Sequence, residues 1–481
     1  MPGTSSRRFR GTLGEVAILY RETLALVRAF AEHHRRAVAI SVEAGLIFAF
    51  VLMRSAGWRH ELVSAWDAAA IGVALVSPTS GLTVLLATAP FPDWEPFGQD
   101  GGQKMALVGA MGFGLLVRGV AAGRVGRVPV TLRWALLTWA GTGLALMHTI
   151  ISFDDTLRGL ATERWLAGLG GALVVLAVAV WSVRQGTIRP LVVAVGAVAV
   201  AGAASLLDYA APHLIRETAF EWMLRARRSA DRVTGIVNGP NAVATLLTTA
   251  LAVPFLVTVL SSGRRRWLLA PVVVFLTVVV VLTLSRSGLL ALLALVVVAV
   301  AYHRPRAALV VLVVGCMAFL ALMPIYLRLR AQALGAGTVE DLALLVTGDT
   351  KRLTAWATAV RLWLEEPLTG HGYLAFLPLR ATLGVMSVTH PHNEILRLLV
   401  EGGIGLALAF LAFVASAARE LWQARTPLTF AALGALVCLV LGAQFNNPYQ
   451  FAQVTYVGFA IVGAGLGRAW AVRDAVADGS G

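Results

Sequence analysis

His390, His392, Asn393, Arg397 and Glu401 fall within the stretch THPHNEILRLLVEGGIG, Thr389 to Gly405, directly ahead of a long apolar run. A histidine is the side chain most readily poised to accept a proton near neutral pH. A helix opening near Pro391, a residue suited to a first helical turn, sets Asn393, Arg397 and Glu401 at i, i+4 and i+8 on one face. Ile395, Leu398, Leu399 and Gly402 take the other face. Glu401 borders GGIGLALAFLAFVASAA, and a carboxylate at the edge of such a run is costly enough to be a functional candidate by default.

Two arginines elsewhere offer complementary chemistry. Arg286 interrupts VVVVLTLSRSGLLALLALVV, and the stretch from Trp267 to Tyr302 is too long for one span, so Ser285–Gly288 reads as a turn between helices. Arg232 precedes another apolar span opened by Asn238-Gly239-Pro240-Asn241. Guanidinium forks pair with phosphate or carboxylate, more strongly where water is partly excluded. Together these residues suggest a phosphorylated lipid substrate and deprotonation of a nucleophile. Plainer roles stay open for each: snorkelling of Arg286 from a tight turn, anionic-lipid binding by Arg232, and loop capping by His390 and His392. His371, His390 and His392 are weak as a metal set, because histidines at i and i+2 around a proline are not zinc spacing. No metal and no cofactor is expected.

The elements that must position these residues are membrane helices. Of 481 residues, 58% are hydrophobic and 14% charged, where a soluble chain keeps about 25% charged. Apolar runs recur along almost the whole sequence, which implies an all-α, polytopic transmembrane bundle of about twelve to fourteen spans. The segments expected are a basic amphipathic stretch at 1–37, transmembrane helices at 38–207, a basic loop at 208–239, and central helices at 240–324. A large loop at 325–399, final helices at 400–468 and a tail at 469–481 follow. SPTSG, between two short apolar runs, reads either as a turn between two spans or as a kink in one. The net charge of +14 does not make a nucleic-acid surface, since the arginines are scattered over many loops. Cys316 and Cys438 both sit in apolar spans and suit small core positions.

Loop charge sets the orientation. With fourteen spans, RGVAAGRVGRVPVTLR, SVRQGTIRP, SGRRRW, YHRPR and RELWQAR all face one side, and the acid-richer FPDWEPFGQDGGQ and SFDDTLRGLATER face the other. The positive-inside rule then places both termini in the cytoplasm and His392, Arg286 and Arg232 at the outer boundary. The two long outer loops are rich in arginine, which an anionic ligand would explain. Within the larger loop, DTKRLTAWATAVRLWLEEP reads as a helix capped by Asp349 or Thr350 and ended before Pro367. Leu353, Trp356, Ala357, Val360, Trp363 and Leu364 form its apolar face, expected against the bundle or the bilayer surface.

The carboxy-terminal half resembles the O-antigen ligase and O-antigen polymerase family of membrane glycosyltransferases. RVTGIVNGPNAVATLL, TLSRSGLLALL, KRLTAWATAVRLWLEEPLTGHGY and HPHNEILRLLVEGGIGLALAF carry the likeness, over about Arg232 to Phe410. NGPN stands where the family more often has Gly-Asn-Pro-Asn. The resemblance implies transfer of a glycan from a polyprenyl (undecaprenyl) diphosphate carrier to an acceptor hydroxyl, without a metal, on the outer face of a bacterial inner membrane. The acceptor would be a glycan or a lipid A core. By the same resemblance His392 is the general base, Arg286 and Arg232 hold the diphosphate, and Arg352 binds substrate. His390, Asn393, Arg397 and Glu401 share the substrate site as its polar stripe. Ligase, polymerase and protein O-glycosyltransferase all share this pattern. A lipid-linked oligosaccharide flippase is the alternative. Transporters, however, place ionisable groups at the midplane and show related halves, whereas here the polar residues gather at one surface.

Overall fold

A computed structural model describes residues 35–55, 60–91, 102–121, 129–216, 218, 223, 233, 239–333, 339–385, 390–445, 449 and 451–478. Arg232 lies outside them. The chain divides into two units, residues 1–52 and 53–481. The first contributes most of helix α1 (Arg35–Ser55), an apolar helix long enough to cross a membrane.

The second unit is entirely helical among the described residues. Its order is α2 (His60–Val76), α3 (Pro78–Thr88), α4 (Gly102–Ala121), α5 (Val130–Ser152), α6 (Asp155–Ala167), α7 (Leu169–Arg184), α8 (Arg189–Ala210) and α9 (His213–Arg216). Then come α10 (Pro240–Leu260), α11 (Ala270–Leu282), α12 (Arg286–His303), α13 (Pro305–Ala333) and α14 (Val339–Glu365). The last are α15 (Phe376–Thr382), α16 (Glu394–Ala424), α17 (Pro427–Phe445) and α18 (Ala452–Ala477). Among the described residues ten helices are long and apolar enough to cross a membrane, counting α6 and α7 as one. Every one of the fourteen expected segments lies on a helix; those outside the ten are α2, α3, α4 and α11.

SPTSG is a reversal and not a kink. Ala74 and Gly81 are seven positions apart, about 10 Å along a continuous helix, yet a Cβ on Gly81 would meet the Ala74 Cβ at 2.6 Å. Pro78 takes the first turn of α3 and the Ser77 side chain accepts from the Ser80 N–H, so a new helix starts there.

The centre of the bundle is α18, which packs on α7, α17 and α10. Of its apolar window 89% is buried, against 6% for α13, which presents its apolar side chains outward as a lipid-facing helix would. Small residues permit the close approach: Gly463 and Gly467 of α18 lie against the carbonyls of Leu176 and Val180 on α7. α16 packs on α5 and α17, and α17 also on α10 and α12. The starts of α10, α12 and α16 therefore come to the same end of the bundle as the finish of α17.

The helix expected to be capped at Asp349 or Thr350 instead runs unbroken from Val339 to Glu365. The helix continues through Gly348, directly before the expected cap, so the cap signal is overridden; the stop before Pro367 is where Pro367 requires it. The face packed within the protein is the one beside the expected apolar face, which keeps the bilayer surface as its placement. Ala355, Ala359 and Leu362 bury against Phe376 and Val400, while Leu353, Val360 and Leu364 are exposed and Trp363 is half-buried. Small residues let α14 lie close to α15 and α16, and the larger side chains point away from that contact.

Candidate functional site

Asn393 opens α16. It has extended backbone angles, φ −150° and ψ 120°, and its Oδ1 accepts from the Leu396 N–H at 3.1 Å, which makes it the N-cap. Its Nδ2 donates to Gln444 Oε1 on α17 at 3.2 Å, fixing the helix mouth to a neighbour. Pro391 therefore lies before the helix and is buried, while His390 and His392 on either side of it stay partly exposed. Their rings touch at a tilt of 46°, with centroids 4.0 Å apart. His392 is held at φ 54°, a left-handed conformation uncommon for a non-glycine residue. Burial drives the His390 imidazole down to about 3, helped by the ring of His392 and the guanidiniums of Arg164, Arg397 and Arg380. At neutral pH this ring is uncharged.

The two glycine motifs turn out to be one device. Gly403 has φ 69° and ψ −170°, so α16 breaks there, in a region essentially restricted to glycine. The break frees backbone groups that the segment after α14 satisfies. His371 N–H donates to Val400 O at 2.8 Å, Gly372 N–H to Glu401 O at 3.0 Å, and Ile404 N–H to Pro367 O at 2.9 Å. Contact is too close for side chains: a Cβ on Gly370 would lie 2.6 Å from the Glu401 carbonyl carbon, and one on Gly403 2.1 Å from Leu368 O. PLTGHGY thus inserts into the break made by EGGIG. The same segment is tied to α5, through Tyr373 N–H to Ala145 O at 2.9 Å and Thr149 Oγ1–H to Tyr373 O at 2.8 Å. His371 takes no part in a histidine cluster, since its Nε2 bonds the Leu362 carbonyl at 2.7 Å and must carry the proton to do so.

Arg397 and Glu401 do pair along one face at i, i+4, but inside the protein. Arg397 is 1% exposed, salt-bridged to Glu394 and Glu401, both equally buried. Its guanidinium lies 5.4 Å from the Tyr373 ring centre, and Glu401 Oε1 accepts from the Leu374 N–H at 3.0 Å. The Tyr373 hydroxyl, whose pKa burial raises well above its ordinary value, donates to Arg164 O at 3.1 Å. Two carboxylates around one guanidinium bind α16 to the inserted segment, so these charges support the histidine loop from below.

Arg286 is the first residue of α12, partly exposed, immediately after the expected turn. Ser285 caps the helix and donates to Asn241 Oδ1 at 2.9 Å, joining the SRS and GPN stretches. One turn further along α10, Thr245 packs on Gly442 of α17, two residues before the Gln444 that holds Asn393. Arg286 and His392 are linked by this chain of contacts at one end of the bundle. Arg352 is partly exposed on α14. Arg232 cannot be placed, but its neighbour Val233 is buried and its N–H reaches Leu282 O at 3.4 Å, at the end of α11. Left-handed non-glycine residues mark the same loops: Leu284 before Arg286, Leu374 in the insertion, and His392.

Sequence reasoning missed Glu394, Tyr373 and Arg164. Arg164 lies in the acid-rich SFDDTLRGLATER and carries no motif of its own. The Tyr373 hydroxyl, from a distant part of the chain, bonds its backbone carbonyl. Among the described residues no three His, Cys, Asp or Glu side chains gather as a metal set.

Residues 271–411 match the family model described as O-Antigen ligase. The match takes in Arg286, Arg352, both loop histidines and the α16 mouth. No curated protein matches it.

Proposed function

We propose that this chain, whose residues 271–411 match the family model described as O-Antigen ligase, transfers a glycan from a polyprenyl (undecaprenyl) diphosphate carrier to an acceptor hydroxyl. The reaction takes place at the periplasmic or extracellular surface of a bacterial inner membrane, in lipopolysaccharide, O-antigen or exopolysaccharide synthesis. The observation that carries the reading is the adjacent, partly exposed His390–His392 pair at the mouth of α16, with Arg286 at the same end of the bundle.

His392 removes the proton from the acceptor hydroxyl as its oxygen attacks the anomeric carbon. The bond from that carbon to the diphosphate oxygen breaks, and the lipid diphosphate leaves with the electron pair. Arg286 and Arg232 hold the charge that develops there, with Arg352 on the substrate. A base contributes about 10²–10⁴ in rate. Fixed donors at the developing charge contribute about 10²–10³ each. The leaving group is already good, so arginines suffice and no metal is required. Asn393 sets the histidine loop on α16, and Arg397 and Glu401 hold the helix beneath it.

The test is transfer by purified protein in lipid, from a polyprenyl-diphosphate glycan to added acceptor, with and without chelator. Product is expected in both. Glycan lengthening on the lipid identifies a polymerase, and glycan moved to lipid A core a ligase. Movement of the donor between leaflets with no transfer would replace this reading with a flippase.

A further inference from the structure

α14 packs through one face, where Ala355, Ala359 and Leu362 bury against Phe376 of α15 and Val400 of α16. At about 3.6 residues per turn, Leu353, Ala357, Val360 and Leu364 share one narrow stripe turned away from that contact. All four are exposed, Leu353 by 61% and Leu364 by 63%, and Leu368 continues the apolar surface beyond the helix. Half-buried Trp356 and Trp363 border the stripe along one edge, and Arg361 and Glu365 along the other. Depth and continuity say what covers this face. α16 has 31 residues, about 46 Å of helix against a hydrocarbon core of about 30 Å. Its charged side chains fall in Glu394–Glu401 and after Ala418, so Gly402–Ala418 is the part that crosses, and the lipid boundary lies near Glu401. α14 meets α16 at Val400, level with that boundary. α13, which precedes α14 and touches it, already faces lipid, with 6% of its apolar window buried. An apolar stripe edged by tryptophans and by ionised groups is the pattern of a helix lying in a membrane interface. The exposed charges, Lys351, Arg361, Glu365 and Glu366, cancel, so zwitterionic headgroups suffice.

We propose that α14 is seated in the headgroup layer of the membrane surface on which the histidine loop opens, and that this seat braces the mouth of α16. Lipid lies against one face of α14, Phe376 and Val400 against the other. The chain leaving α14 runs straight into the Pro367–Leu374 segment that enters the break of α16, and Glu401, next to Val400, holds that segment through the Leu374 N–H. Displacing α14 from the lipid therefore displaces both supports of the loop. The seat stands on geometry alone, and its effect on transfer rests on the glycan-transfer reading above.

Spin labels on the full-length protein in phosphatidylcholine nanodiscs read the seat directly. The background is Cys316→Ser, in which the remaining Cys438 is buried. Labels are placed through Leu353→Cys, Val360→Cys and Leu364→Cys, with Lys351→Cys and Glu366→Cys as controls. Greater accessibility to oxygen than to a water-soluble nickel chelate is expected at the three stripe positions, and the reverse at the controls. Preference for the chelate at every position would put α14 in water and overturn the proposal, leaving the transferase reading intact. Exclusion of both reagents, with dipolar broadening between copies, would give the stripe to a second copy of the chain and also overturn it. Leu353→Asp combined with Leu364→Asp should lower transfer by about ten-fold or more through misplacement of the loop, at an unchanged thermal midpoint, while Phe at both positions should retain it. Parental transfer by the Asp pair would remove the brace. Labels in lipid with no transfer by the parent would keep the seat but remove the transferase reading, and the brace with it.

Discussion

His392, Leu284 and Leu374 all hold left-handed backbone angles at one end of the bundle, at a cost of about 1–2 kcal/mol each for an L-residue. Such strain persists where surrounding structure over-determines it and tends to cluster at functional loops. At His392 the determinants are the Asn393 cap and its tie to Gln444. Asn393→Ala should therefore cost about 0.5–2 kcal/mol as a lost cap, read as a lower thermal midpoint, and should lower transfer more than that stability loss explains. His390 makes a separate prediction. Its folded pKa is depressed to about 3 from 6.5, so between those pH values the unfolded chain binds a proton that the folded one does not. Stability then rises with pH through that window and falls as pH drops through it. Thermal midpoints measured from pH 7 to 4 should decline, and His390→Asn should flatten the decline. The polar face of α16 was legible from spacing alone. Its burial was not, because the groups that cover it, Tyr373 and Leu374, approach from a distant part of the chain.

At the scale of elements, the insertion of Pro367–Leu374 into the break of α16 is what fixes the histidine loop over the bundle. EGGIG and PLTGHGY were visible as motifs, but spacing does not say that two glycine-rich stretches interlock. That follows from their φ angles and the absence of room for Cβ atoms. Gly403→Ala forces both a glycine-only conformation and a collision with Leu368 O, so it should destabilise by at least ~1–3 kcal/mol and reduce activity with His392 intact. Arg397→Ala leaves Glu394 and Glu401 buried without their cation, an expected loss of about 3–5 kcal/mol. Arg397→Lys should recover part of it, and thermal unfolding in detergent compares the two. The helix of the large loop was legible at its end, where Pro367 acts locally, and not at its start, where the helix runs on through Gly348 and the expected cap.

Across the whole molecule, the helical nature of the apolar segments was legible from hydropathy. The number long enough to span, ten among the described residues against twelve to fourteen expected, was not, and burial in the centre of the bundle depends on which glycines meet which backbones. Loop charge predicts a cytoplasmic carboxy terminus. A fluorescent protein fused after Gly481 should therefore fluoresce, and alkaline phosphatase inserted at 386–389 should be active; the reverse pattern would invert the orientation. The most direct test compares His392→Ala and Arg286→Ala with the parent in proteoliposomes, measuring glycan transfer and farnesyl diphosphate binding in each. The base assignment predicts transfer reduced about 10²–10⁴-fold in His392→Ala with binding retained, and weakened binding in Arg286→Ala. Transfer at the parental rate by His392→Ala would contradict it.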